Sequence, residues 1–247
     1  MAQLKTFLAG AGAMAAVLLL TGAREHRHAE FDEITAGRIN IVEPDGTKRM
    51  VISNRAQFPG GFMEGKESAR PDRRTFAGML FMNEEGTENG GLIQKGSLAA
   101  DGKIDSGLSL TFDRFRQDQA LQLLNTDSAQ HQQTGISIND VPYFRRTAMT
   151  DYPGFREDAT KLAPTERRAY WQKLNEDGRL PNNRIWLGNT RDKGASLQLK
   201  DGQGRVRLML LVGADGKAEI QMLDENGKVT KTIAADATPA QTAASPG

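Results

Sequence analysis

No cysteine occurs among the 247 residues. That absence removes disulfides, thiolate metal sites, iron–sulfur ligation and thiol nucleophiles together, so any folded domain must rest on its core alone. Histidine is almost as scarce: His26 and His28 lie near the N-terminus and His131 sits in Gln130-His131-Gln132-Gln133. A Ser-His-acid hydrolase needs a histidine within reach of its nucleophile, and the chain has no G-x-S-x-G elbow to supply one. No G-x-x-x-x-G-K-[ST] phosphate loop is present either. Charge of one sign is lacking too. Lys+Arg number 32 against Asp+Glu 31, a net +1. A chain without a basic stripe is a poor partner for nucleic acid, whose backbone is gripped by clustered lysine and arginine. The pairs Arg73-Arg74, Arg145-Arg146 and Arg167-Arg168 read as solvated faces.

Long apolar runs are missing except at the start. Lys5 precedes an apolar, small-residue stretch from Phe7 to Leu20, followed by Thr21-Gly22-Ala23. A basic residue, an apolar run and small residues before a cut describe a secretory signal with cleavage after Ala23. Uncleaved, the same segment is at the lower length limit for a membrane anchor, and Arg24 and Arg27 just beyond it favour retention. Residues 1–23 are therefore expected to be a signal peptide or an anchor. The protein's address is the cell envelope: periplasmic or secreted if the segment is cut, membrane-anchored otherwise. The membrane is then its first partner. If cleavage leaves Arg24-Glu25-His26 at the front, the free amine, two amides and imidazole would form a square-planar nitrogen set for Cu(II) or Ni(II). Histidine at that position is more simply a coincidence of a polar leader, and no metal or other cofactor is assigned.

What the chain does have is alternation punctuated by glycine. Residues 24–36 are a polar tether. Residues 37–140 read as a β-rich region, with a hairpin signal at Pro44-Asp45-Gly46-Thr47 between apolar alternations and clean period-2 runs at Leu108–Phe112 and Ile136–Ile138. Residues 141–182 read as an irregular loop, with Pro142 and Pro153 as breakers, followed by one helix near 164–177. Pro164 takes the first helical position, and Gly178 and Pro181 end the helix. Residues 183–233 form the most legible stretch: Gly204, Gly216 and Gly227 follow one another at strand-plus-turn spacing, each ahead of a basic residue. In that pattern glycine supplies a positive φ and the charged residue opens the next strand on its solvent side. Residues 234–247 are a small, polar, disordered tail. The expected fold is mainly β: an antiparallel meander, sandwich or short β-solenoid of hairpins, with an N-terminal apolar helix.

The stretches FDEITAGRINIVEPDGTKRMVISN, FAGMLFMNEEGTENGGLI and RIWLGNTRDKGASLQLKDGQGRVRLML resemble a group of uncharacterised bacterial proteins over most of residues 31–230. These share a short N-terminal apolar segment and Gly-punctuated strands. The resemblance implies a β architecture and an envelope setting; it carries no activity and no site residue.

Among possible chemistries, only paired carboxylates remain, since glycoside hydrolysis needs two acids across a cleft. Glu84, Glu85 and Glu88 are the densest acidic cluster, lack the spacing of a calcium loop, and read as a charged hairpin turn. Trp171 and Trp186 read as core, whereas Tyr143, Phe144 and Tyr152, in the irregular region, are the suggestive aromatics. No catalytic, cofactor or metal residue is assigned. The expectation is a non-enzymatic binding or structural module of the envelope with an unknown protein or glycan partner; the alternative is an exported glycan-active hydrolase.

Overall fold

The computed structural model describes residues 28–128 and 132–234. The apolar segment 1–23, Arg24-Glu25-His26, His131 and residues 235–247 of the tail lie outside the described residues. Residues 28–36, part of a first unit ending at Ala36, run exposed without helix or strand. The second unit starts at Gly37.

Its strands are β1 (Arg38–Val42), β2 (Lys48–Ser53), β3 (Gly61–Met63), β4 (Lys66–Ser68), β5 (Ala77–Met82), β6 (Glu88–Leu98) and β7 (Ile104–Asp113). They continue as β8 (Gln119–Ser128), β9 (Gln132–Asp140), β10 (Asn182–Asn189), β11 (Ala195–Lys200), β12 (Val206–Val212), β13 (Ala218–Leu223) and β14 (Val229–Ala234). Helices α1 (Tyr152–Thr160) and α2 (Pro164–Glu176) fall between β9 and β10. Twelve strands make one antiparallel meander in the order β1-β2-β5-β6-β7-β8-β9-β10-β11-β12-β13-β14, and β3 pairs with β4 as a separate hairpin. Of the architectures expected, the meander is the one adopted.

A single turn geometry drives that order. At 43–47, 83–87, 99–103, 114–118, 190–194, 201–205, 213–217 and 224–228, the first N–H donates to the fifth carbonyl and the fourth N–H to the first carbonyl. The fourth residue is left-handed in seven of these eight turns; in 114–118 it is the third, Arg116. Gly204, Gly216 and Gly227 fill the fourth position with φ near +80°, which explains their spacing. An extra residue on the following strand comes after several of these turns, as with Ala120 opposite the Phe112–Asp113 step and Thr230 opposite the Met222–Leu223 step.

Register fixes the faces, because residues directly opposite one another in an antiparallel pair share a side. Ile39, Ile52, Met79, Leu92, Leu110, Leu123, Ile136, Leu187, Leu197, Leu210, Ile220 and Ile233 form one unbroken row of partners, one from each strand. Two residues along, a second row passes through Met50, Phe81, Phe112, Leu121, Ile138, Ile185, Leu199, Leu208 and Met222, with Gly90 in place of a side chain and Lys231 at its end. Many of these side chains are exposed.

The opposite face is mostly polar, carrying Thr111, Gln122, Ser137, Gln198 and Gln221 in one register row. Trp186 lies in that row and is buried over Gly135 and Gly188, where an added Cβ would strike its ring. The compact core sits at the N-terminal end of this face. Val51, Leu80 and Met82 meet Phe62 of β3, with Phe58 and Ile93 against them. Leu80 is fully buried, so Leu80→Ala is expected to lower stability by about 3 kcal/mol, read as a shifted urea midpoint at unchanged slope.

The helical insertion differs from its expected form. Pro164 does begin a helix, α2, capped by Glu166 accepting the Ala163 N–H at 3.1 Å. Pro153, expected to break structure, instead stands in the first turn of α1. A proline there loses no hydrogen bond, because the first N–H groups of a helix have no partner within it. Phe155 and Ala159 are the buried residues of α1.

Candidate functional site

The β7–β8 turn, the start of β6 and the β3–β4 hairpin enclose a cleft of about 450 Å³, joined by Met149, Thr150 and Pro153 from the segment entering α1. Its charges are arranged in pairs. Arg73 is buried and forms a bidentate bridge to Glu88, Nη2 to Oε1 at 2.7 Å and Nη1 to Oε2 at 2.9 Å. Nη1 also donates to the Gly60 carbonyl at 2.8 Å, which ties the bridge to the hairpin entry. The expected solvated face at Arg73-Arg74 is therefore divided: Arg73 is committed inside and Arg74 is exposed. Arg70 pairs with Asp72 in the same bidentate fashion, at 2.9 and 2.8 Å.

Arg116 holds the third pair under backbone strain. It is the third residue of its turn and is left-handed with φ 53°, whereas the sister turns place their left-handed residue fourth. A non-glycine residue held there costs on the order of 1–3 kcal/mol. In return its guanidinium grips Glu85 through Nε at 2.8 Å and Nη2 at 2.7 Å, and Glu64 through Nη2 at 2.5 Å. The Arg116 hydrogen bonds hold the Glu85 carboxyl down to about 2. Thus the acidic cluster read from sequence is dispersed among arginines: Glu84 meets Arg49, Glu85 meets Arg116 and Glu88 meets Arg73.

Asp113 is the exception. It closes β7 where a bulge leaves Ala120 of β8 unpaired, its side chain lines the cleft, and buried Oδ1 has no hydrogen-bond partner among the described residues. Burial pushes its carboxyl up to about 7, helped by the charges of Glu88 and Asp118 and opposed by Arg73. Asp118 accepts the Gln119 N–H at 2.9 Å. Beside them Gln117 is buried, its amide donating to the Thr147 carbonyl. Its Oε1 lies 3.5 Å from the Tyr152 hydroxyl, which burial raises to about 12. The cleft thus presents three arginines already paired and one orphaned carboxyl oxygen.

No protein-family model matches the chain, and no curated protein matches it.

The suggestive aromatics lie close to this cleft but pack on one another. Phe115 and Phe144 meet edge-on at 5.2 Å, as do Tyr152 and Phe155 at 6.0 Å, and Tyr143 lies tilted against Phe144 at 5.6 Å. Arg116 stacks over Phe115 at 5.5 Å and Phe144 at 5.8 Å, and Arg179 over Phe155 at 4.5 Å. Residues 143–155 contribute Met149, Thr150 and Pro153 to the cleft lining, and no aromatic ring. Sequence reasoning passed over Asp113 and Arg116 and placed Arg73 on a solvated face. Asp113 closes an ordinary alternating strand, and its position beside Glu88 depends on β6–β7 pairing that no local signal records.

Proposed function

We propose that the chain is a non-enzymatic binding module of the bacterial cell envelope, exported or tethered through residues 1–23, with the Asp113 cleft as its ligand site. The observation carrying this reading is the orphaned Asp113 Oδ1, set among arginines whose charges are already neutralised. A buried acceptor without a donor is costly, and a ligand that supplies one removes that cost. Asp113 and Asp118 leave the cleft with surplus negative charge, so the favoured ligand is a small molecule bearing an amine or guanidinium.

Calorimetric titration with agmatine and with putrescine tests the reading. Binding should tighten between pH 6 and pH 8 as Asp113 ionises, and Asp113→Asn should weaken it at least about tenfold, the loss of one charge-assisted hydrogen bond. Absence of binding by both cations, or equal binding by Asp113→Asn, refutes the site. Cell fractionation with N-terminal sequencing tests the address. Arg24 as first residue in a soluble envelope fraction, or Met1 retained in membranes, supports it; intact chain in the cytoplasm refutes it.

A second reading, an exported glycan-active hydrolase, draws on Asp113 as an acid still protonated near neutral pH beside a second carboxylate, Glu88. Glu88 is clamped by both Arg73 nitrogens, which leaves it a poor nucleophile or base, and no aromatic platform from 143–155 lines the cleft. Release of reducing ends from chitooligosaccharides, lost in Asp113→Asn, would place this reading ahead.

A further inference from the structure

We infer that the apolar face of the twelve-stranded sheet is a self-association surface, covered in solution by the same face of a second copy. One face of the meander carries an aliphatic row that includes a residue from every strand. Leu123, Leu187 and Ile233 on it are 41%, 49% and 46% exposed. Monomeric soluble proteins seldom leave so continuous an apolar surface in water.

Size favours a second copy. With strands about 4.8 Å apart and same-face residues about 6.8 Å apart, two rows over twelve strands cover about 800 Å², the share each partner contributes to a standard stable interface. The chemistry favours it as well. The central row is wholly Ile, Leu and Met, the composition by which two sheets interdigitate about 10 Å apart, with the polar rows turned outward. A row that meets itself across a twofold axis needs no complementary partner surface.

The edges argue against the other arrangements. β14 has an exposed Lys231 in its middle and β1 is only five residues long, so edge-to-edge growth is blunted. β1 and β14 each have one neighbour in the sheet. Hydrocarbon does not tolerate such open edges, so this face is not expected to lie in a bilayer core.

The cysteine-free sequence makes the test direct. Leu123 lies near mid-sheet on the apolar face and Gln122 points from the other face. Single-cysteine versions of the full chain, Leu123→Cys and Gln122→Cys, would be treated in intact cells with a membrane-permeant bis-maleimide of about 10 Å reach, the sheet-to-sheet spacing. Leu123→Cys should give a covalent dimer and Gln122→Cys should not. For the purified full chain, sedimentation should show a dimer. Leu123→Lys should weaken it about a hundredfold, since an unpaired charge would be buried, whereas Gln122→Lys leaves it intact. Far-UV circular dichroism would confirm that both lysine variants keep their strands. Equal cross-linking from both faces, a monomeric wild type at tens of micromolar, or a monomer carrying bound lipid would overturn the inference.

Discussion

Arg73→Ala is expected to cost about 3–5 kcal/mol of stability, because removing one partner of a buried ion pair leaves its counterpart charged and unpaired. Three losses coincide at this position. Glu88 loses both arms of its bidentate bridge, the Gly60 carbonyl loses its donor, and Asp113 loses the positive charge that restrains its upward shift. Urea denaturation should show the midpoint falling steeply at constant slope. The double variant Arg73→Met with Glu88→Gln should recover much of the loss, since neither charge then remains to be solvated. If the single variant costs under about 1 kcal/mol, the value of an exposed surface pair, the bridge is not buried in solution.

Asp113 imposes a pH dependence of unusual sign for a carboxylate. Its folded pKa stands near 7 against an ordinary value of 3.8. Between those limits the folded chain holds a proton that the unfolded chain has released. Its contribution is therefore fully present below about pH 4 and is lost as pH rises to 7, at about 1.4 kcal/mol per pH unit. Above pH 7 the loss levels off, on the order of 4 kcal/mol. Glu85, held low by Arg116, contributes in the opposite direction at more acid pH, so the informative quantity is a difference between variants. Subtracting the Asp113→Asn stability from that of the wild type at pH 4, 5.5 and 7.5 should give a value that declines steadily. A flat difference would mean that Asp113 is solvated and ionised throughout, and the cleft reading would fail with it.

Much of the meander was legible from residues 183–233, because each turn is a local event. Glycine at the left-handed position and the base after it announce a hairpin whatever the rest of the chain does. The turns at 114–118 and 190–194 give no such signal, since Gln117 and Lys193 stand at the fourth position and the first of these turns is left-handed at Arg116 instead. For Arg116 the tertiary pairs with Glu85 and Glu64 offset the strain. Alternation at Leu108–Phe112 correctly assigned which side chains share a face. It could not say which face is covered: Leu108 and Phe112 remain exposed while Thr111, between them, is buried. Helix α1 was hidden because a proline begins helices as readily as it ends them. The cleft was hidden for a different reason. Asp113 and Glu88 lie 25 positions apart and meet only through strand pairing.

Nearly every strand of the large sheet pairs with its neighbour in sequence, even where the helical insertion separates β9 from β10. A chain wired in this way closes short loops first and is expected to fold with little topological delay for its β content. Its cohesion is distributed hairpin by hairpin, as in repeat arrays, rather than lodged in a central nucleus. Because strands come in antiparallel couples with a fixed alternation, the gene can gain or lose one whole couple without reversing the orientation of any other side chain. The length of this sheet is thus an evolvable quantity, one that duplication or deletion can adjust while every remaining strand keeps its register.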